Sequence, residues 1–305
     1  MVRFIARRLV QAFVSLLGVT LVVFLLSRAT GDPASLLIPI DATDAERAAF
    51  RTELGLDDPL PVQYAHFLGD LAHGDLGDSI KLGAPTSELI ANRLPNSFVL
   101  AACAMGFSMV VGVSIGVLAA RRPGGWADRV SSLIALFGQS IPTFWVGLMA
   151  VLLFAVTWRI FPPSDFDEPL SLVLPALTLG WFTTATMARI AQSSMREALD
   201  SQYVVVARSK GLSERVVVVR HALRNSIVSI LTMGAVQFVL LLNGAVVTEK
   251  IFNWPGVGSL MVDAAFARDF PLVQALVLVA AALVIGVNFL MDVAYAYLDP
   301  RIRVQ

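Results

Sequence analysis

Ser201–Asn225 reads SQYVVVARSKGLSERVVVVRHALRN, a basic stretch that carries Arg208, Lys210, Arg215, Arg220 and Arg224 between two strongly apolar runs. Gly211 divides it. A helix ending at Lys210 with a glycine just beyond fits the left-handed C-terminal cap that glycine adopts at little steric cost. Ser213 stands where a following helix would be capped, and Glu214 in its first turn complements the helix dipole. The stretch therefore predicts a hook of two short helices around a glycine, held at a membrane surface and suited to docking.

The flanks decide the class. Hydrophobic residues make up 56% of the 305 and charged residues 15%. Mean hydropathy is +0.73, the profile of a membrane protein rather than a soluble domain. A helix rises about 1.5 Å per residue, so about 20 apolar residues cross a hydrocarbon core about 30 Å thick. Six runs reach that length: Leu9–Leu26, Ser97–Ala120, Val130–Thr157, Leu170–Ala188, Ile227–Val247 and Leu272–Leu298. The predicted fold class is an all-α membrane protein with six transmembrane helices. Pro142 and Pro175 predict kinks in the third and fourth. The first run follows Arg3, Arg7 and Arg8 but is of spanning length. It leads into Ser27–Arg28–Ala29–Thr30 without a small-residue cleavage pattern, so it reads as a retained helix rather than a secretory signal.

Charge sets the orientation. With the N-terminus inside, Met1–Arg8, Arg121–Arg129, Arg189–Asn225 and Asp299–Gln305 face the cytoplasm and hold 15 of the 23 Lys and Arg residues. Acidic residues run the other way, with 11 in Asp32–Glu88, three in Asp165–Glu168, and Glu249, Asp263 and Asp269 beyond. The formal net charge of zero thus hides a basic inside and an acidic outside, which places both termini in the cytoplasm of a multi-pass cell-membrane protein. The expected organisation is a cytoplasmic N-terminus and first helix over 1–29, an outer segment over 30–95, a core over 96–298 with the cytoplasmic loop 189–225, and a tail over 299–305. The outer segment has amphipathic pieces, Ala45–Leu54 and Val62–Leu71, and reads equally as a folded spacer or as a surface for an external partner.

Catalytic signatures are missing: no Walker-A loop, H-E-x-x-H, C-x-x-C or G-x-S-x-G occurs. His66, His73 and His221 are spread over two sides of the membrane and predict no metal site. Asp292 is the only acidic residue deep in an expected span, near its inner end. Proton-driven carriers need ionisable groups at depth, so this scarcity leans against secondary transport. Gln139, Gln237, Asn243 and Asn288 are polar at depth and read either as hydrogen bonds between helices or as the lining of a translocation path. Gly106, Gly112, Gly116, Gly138, Gly147 and Gly234 predict close helix packing, Gly112 and Gly116 as a G-x-x-x-G pair. Cys103 reads as a small buried filler.

These residues resemble a known family, the membrane permease subunits of ABC importers of the dipeptide/oligopeptide/nickel group. Tyr203–Leu212, YVVVARSKGL, and His221–Asn225, HALRN, match the coupling loop of the peptide branch. Against the general E-A-A loop signature, Ala207, Gly211 and Leu223 agree, while Val205, His221 and Arg224 depart. Leu174–Gly180 (LPALTLG), Arg189, Ser193–Glu197 and Gly244–Phe252 (GAVVTEKIF) follow the same pattern in order. So do Pro255–Gly256–Val257–Gly258, Asn288, Asp292, Tyr295 and Asp299–Pro300–Arg301, as does Gly31–Asp32–Pro33 after the first helix.

The resemblance implies a five-helix permease core over about 95–295 with an added N-terminal helix and an extracytoplasmic insertion. It implies a second homologous permease, two cytoplasmic ABC ATPases and an extracytoplasmic solute-binding protein as partners. It implies no cofactor in this chain, since ATP and Mg bind the ATPases, and no enzyme activity of its own. Membrane lipid surrounds it, and nothing points to nucleic acid. Tyr203, Ala207, Arg208, Lys210, Gly211, Leu212, Ser213, Glu214, His221 and Arg224 are expected to couple to the ATPases. Short peptides are the expected substrate. Nickel or another small solute is the alternative within the family, and a secondary carrier without an ATPase is the alternative outside it.

Overall fold

A computed structural model describes residues 2–30, 43, 45–46, 52, 57–162 and 168–298. In chain order its helices are α1 (Val2–Thr30), α2 (Leu60–Ala72), α3 (Thr86–Arg121), α4 (Trp126–Ser140) and α5 (Thr143–Ala150). They continue with α6 (Val173–Leu199), α7 (Gln202–Ser209), α8 (Glu214–Ile251), α9 (Val257–Phe266) and α10 (Phe270–Leu298). Among the described residues the only strand-like pairing is one antiparallel bridge between Asp78 and Pro85. Helices α1, α3, α6, α8 and α10 are long and apolar enough to cross a membrane. The pair α4 and α5, bent by 101° at their junction, is long and apolar enough only when taken together, as a broken span or a re-entrant loop. Counting the pair as one span yields the six expected from the sequence.

The departures from expectation have local causes. Pro142 does not kink a continuous span but ends one helix and starts another. Ile141 before it is extended (φ −90°, ψ 123°), as a residue preceding proline prefers, and Pro142 is the N-cap of α5, where no N–H is required. Pro175 kinks nothing, because it lies in the first turn of α6, whose N–H groups have no intrahelical partner in any case. Helix α3 begins at Thr86, well ahead of Ser97, and carries Pro95 in its interior. Helix α5 runs on as a π-helical stretch, Val151–Thr157, and a second π stretch, Val217–Leu223, lies within α8. Helix α8 extends past Val247 to Ile251, and α9 was not foreseen at all. Cys103 is exposed rather than buried, on the face of α3 that also exposes Val99, Gly106 and Val110. Of the outer pieces, Val62–Leu71 is found within α2, and Ala45–Leu54 lies largely outside the described residues. Gly31–Asp32–Pro33, Asp165, Asp167 and Asp299–Pro300–Arg301 lie outside them as well.

The chain divides into two compact units, residues 1–94 with 260–305, and residues 95–259. In the first unit α1 packs on α10 and on α2. Tyr64 reaches α1 through Thr20, with the two hydroxyls 2.9 Å apart, and its ring stacks beside Phe24 and Phe67. Arg8 pairs with Asp292 at 2.9 Å, so the one acidic residue expected at depth is neutralised by a cation from the N-terminal helix. Asp269 is 1% exposed and accepts from the Ser79 hydroxyl and the backbone N–H groups of Ile80 and Lys81, tying the 78–85 turn to the start of α10.

In the second unit α6 is the central helix, packed by α8, α4 and α5. Between helices surrounded by lipid there is no hydrophobic gain to drive association, so backbone proximity and hydrogen bonds must supply it. The sequence provides both. A Cβ at Gly112 would stand 2.7 Å from the Thr184 carbonyl oxygen, and one at Gly116 would overlap the Ala188 carbonyl and lie 2.7 Å from the Ala191 Cβ. Gly138 of α4 meets Ala185 on another side of the same helix. Ser108 donates to the Gly180 carbonyl at 3.0 Å. Gly106, by contrast, has no atom within 4 Å of where its Cβ would be, so it takes no part in this packing.

Gly116→Val should destabilise the purified subunit by about 1–3 kcal/mol through overpacking, read as a lower melting temperature in detergent. Gly106→Ala should hold or raise that temperature, since its Cβ meets open space and alanine is the better helix former by about 0.5–1 kcal/mol. Equal melting of the two variants would remove the α3–α6 backbone contact as the source of stability.

Candidate coupling surface and polar sites within the spans

The hook forms as a direct continuation of α6. After Asp200, Ser201 turns extended (φ −75°, ψ 152°) and its hydroxyl bonds back to the Ala198 carbonyl, starting α7 at once. At the far end Lys210 is the C-cap and Gly211 follows with φ +74°. Gly211 N–H bonds the Arg208 carbonyl at 3.0 Å and Leu212 N–H bonds the Ala207 carbonyl at 3.4 Å. This is the paired closure of a Schellman cap, and it requires the left-handed residue that glycine supplies. Nothing lies within 4 Å of a Cβ built at Gly211, so its requirement is conformational rather than spatial.

Ser213 occupies the N-cap backbone position of α8 (φ −63°, ψ 145°), but its side chain makes no capping hydrogen bond, contrary to expectation. Glu214 is instead clamped by Arg208, with Nη2 to Oε1 at 2.8 Å and Nε to Oε2 at 3.2 Å. The clamp spans the glycine turn and holds the Arg208 guanidinium proton above its ordinary affinity. Because both side chains are about half exposed, such a pair contributes only about 0.2–1 kcal/mol, and its use is to fix the angle between α7 and α8. Nor is the second piece a separate short helix: α8 runs unbroken from the hook through the span to Ile251.

The inner face of the hook is a packed core. Val204, Ala207, Val217, Val218 and Ala222 are buried against Met195, Ala198 and Leu199 of α6 and Ala120 of α3. Ala207, expected to couple to the ATPases, thus has its side chain packed in this core, and His221 is half-buried. Tyr203, Arg208, Lys210, Gly211, Leu212, Ser213, Glu214 and Arg224 are exposed. Sequence reasoning passed over the apolar part of this surface: Val205 is 59% exposed, Val206 51% and Val219 55%. The signal was present in the valine runs, which are longer than one buried helix face can absorb.

The four polar residues expected at depth fall in different surroundings. Gln139 ends α4 beside the helix break and accepts from Arg189 Nη1 at 2.8 Å. Gln237 is buried, with its Oε1 lacking a partner among the described residues. Asn243 is exposed and donates to the Val239 carbonyl of its own helix at 3.1 Å. Asn288 is exposed on α10, in the other unit.

Two clusters were missed. One joins α4 to α6: Asp128 accepts from Gly124 N–H at 2.8 Å and Gln192 Nε2 at 2.6 Å, and pairs with Arg196 at 2.8 Å. The other centres on Glu249, which the sequence reading placed outside the spans but which is 0% exposed. Its carboxylate accepts from the Ser97 hydroxyl at 2.6 Å and the Ser259 N–H at 2.9 Å. Trp254 Nε1 donates to the Asn96 carbonyl at 3.0 Å, and Asn96 Nδ2 donates to the Pro255 carbonyl at 2.9 Å. A side chain at Gly256 would overlap the carboxylate, and one at Gly258 would lie 2.6 Å from the Val246 Cα. The Pro255–Gly258 turn is therefore wrapped around a buried acid.

Comparison with known proteins decides what this arrangement is. Residues 112–304 match the family described as binding-protein-dependent transport system inner membrane component, and residues 1–101 match the N-terminal part of such membrane components. The chain belongs to this family. It is a multi-pass membrane component of a transport system, not an enzyme. A putative peptide transport system permease of Brucella abortus (strain 2308) is 42% identical over 99% of both chains. The glutathione transport system permease GsiC of Pectobacterium atrosepticum is 39% identical, again over 99% of both. In solved structures, the inward-facing MetNI methionine ABC transporter has a chain that superposes with a TM-score of 0.56 at 16% identity, over 69% of this chain and 96% of that one. That likeness concerns the fold.

Glu249→Ala should lower stability by about 1.5–3 kcal/mol by leaving buried donors without a charged acceptor, whereas Glu249→Gln, which keeps an acceptor oxygen, should lose less. Thermal unfolding of the two variants in one detergent measures the difference, and equal losses would mean the carboxylate contributes only volume.

Proposed function

We propose that this chain is one half of the translocation path of an ATP-driven importer of short peptides. In this reading a second homologous permease, two cytoplasmic ATPases and an extracytoplasmic binding protein complete the complex. Full-length similarity to permeases named for peptide and glutathione transport supports the substrate class. The hook carries the mechanism: it is the only feature among the described residues that couples a stiff, exposed docking surface to two spans at once. Its outer face combines the cations Lys210, Arg215, Arg220 and Arg224 with the apolar Tyr203, Val206, Leu212 and Val219, a composition suited to a protein groove.

ATP bound by the partner subunits closes them on one another and draws the two hooks of the dimer together. Since α7 packs on the ends of both α6 and α8, that displacement passes to both spans and switches the path between inward and outward openings. Moving such a two-state device from 1:99 to 99:1 takes about 5.5 kcal/mol of differential binding, which nucleotide provides. The distribution of basic residues supports an orientation with the hook and both termini in the cytoplasm.

Gly211→Val should leave membrane insertion intact while cutting transport and solute-stimulated ATP hydrolysis in the reconstituted complex, because a β-branched residue resists φ > 0. Gly211→Ala meets no neighbour and pays only the left-handed penalty of about 1–2 kcal/mol, so its loss should be smaller. Wild-type coupling in Gly211→Val would remove the hook from the mechanism.

Orientation has its own check. After replacement of Cys103, a cysteine at Asp75 should react from outside with a membrane-impermeant thiol reagent and one at Ser213 should not. The reverse pattern would invert the topology and with it the docking role.

A further inference from the structure

Helix α6 carries a cation where the sequence reading saw only the start of a cytoplasmic loop. Arg189 precedes Arg196 by seven residues, which places it about 10 Å farther along the helix than the Asp128–Arg196 pair. It lies level with the end of α4, where the chain breaks by 101°. Discontinuous helices inside a membrane mark places where polar groups face a cavity rather than lipid. An open groove of about 300 Å³ lies there, lined by Ser132, Leu136, Gln139, Ser140, Arg189 and Gln192, among others, with Gln139, Ser140 and Arg189 exposed.

Within the lining Gln192 is already engaged, its Nε2 on Asp128 and its Oε1 accepting from Ser131, and Arg189 is the one charged residue. A guanidinium has five N–H donors and is always charged, and Arg189 gives one to the Gln139 Oε1. The Gln139 amide has two N–H donors besides that oxygen, and Ser140 lines the groove beside them. No carboxylate among the described residues stands within ion-pair distance of Arg189. Asp128, the nearest acid in the packing of α4 on α6, is already held by Gly124, Gln192 and Arg196. A groove whose one charged lining residue is a guanidinium without an acidic partner is complementary to an oxyanion. It is unsuited to lipid tails, which the exposed Leu133 and Phe137 of α4 would accommodate.

We propose that Arg189, supported by Gln139, is a subsite for the C-terminal carboxylate of the passing peptide, entered at the helix break. The proposal rests on the peptide-import reading above. It gives the permease a contact with its cargo that recognises the one anionic group every unmodified short peptide carries, whatever its side chains.

The test uses the complete importer in proteoliposomes, with Cys103→Ser as the parent. With Ser140→Cys added, the ratio of the rate with the anionic reagent MTSES to that with the cationic MTSET should be about tenfold higher than the same ratio for 2-mercaptoethanol in solution, as a nearby fixed positive charge requires. Arg189→Gln should abolish the preference and Arg189→Lys should retain it. Trialanine should protect the cysteine and trialanine amide should not. Uptake of radiolabelled trialanine should fall about tenfold in Arg189→Gln and recover in Arg189→Lys, which keeps the charge.

A rate ratio equal to that of the free thiol, in a parent that takes up trialanine, would overturn the subsite while leaving peptide import standing. An anion preference that persists in an importer taking up no peptide would overturn the peptide reading, and the carboxylate assignment with it. Protection by phosphatidylglycerol but not by trialanine would likewise overturn the assignment, in favour of a lipid phosphate. Co-purification of each variant with the ATPases separates loss of the site from loss of assembly.

Discussion

Helix α6 is held by backbone meeting backbone, and the function of the core depends on that contact. Gly112 and Gly116 bring α3 against the carbonyls of Thr184 and Ala188, and Gly138 brings α4 against Ala185. Inside a bilayer the apolar side chains of two helices gain little by leaving lipid for one another. Closeness is therefore what supplies dispersion energy, and it leaves few ways for the helices to slide. In the proposed mechanism a rigid α6 is what lets the hook at its end act as a lever.

Polar groups then decide what this rigid framework can do. Where they are fully engaged, as around Glu249 and Asp269, they close loops onto helix ends and fix the turns within their own units. Buried carboxylates of this kind are tolerated because backbone N–H groups and hydroxyls replace the water they lose. Where they are only partly engaged, as at Arg189 and Gln139, an unspent capacity to donate hydrogen bonds remains beside the break in the third span. The hook is a third case, with its ion pair lying on the surface. Arg208 and Glu214 gain little energy from each other there, but they set the angle at which the exposed valines and cations are presented.

Much was legible in the residues themselves. The six apolar runs, the glycine at the end of α7 and the G-x-x-x-G pair in α3 are local properties, set by hydropathy and by the steric demand of one residue on its own backbone. Each was read correctly without knowledge of a neighbour, and the family resemblance rested on the same kind of local string. Pro142 was legible as a disturbance, but not as a break of 101°, because the depth of a bend depends on what packs on either side of it.

What only tertiary structure decided is the fate of side chains whose chemistry is compatible with two environments. Cys103 and Ala207 are both small and both lie on helices, yet one is exposed and the other buried, since the neighbours that cover Ala207 come from α6 and α8. Ser213 has the sequence of a capping residue, but Glu214 finds Arg208 and the cap is left to the backbone. Glu249 looks like an outer-surface acid until Ser97 and Ser259 enclose it, and Arg189 looks like a loop cation until α4 ends beside it. In each case the deciding partner is distant in sequence, and the free energy of a polar or small side chain is set by that partner rather than by its own identity.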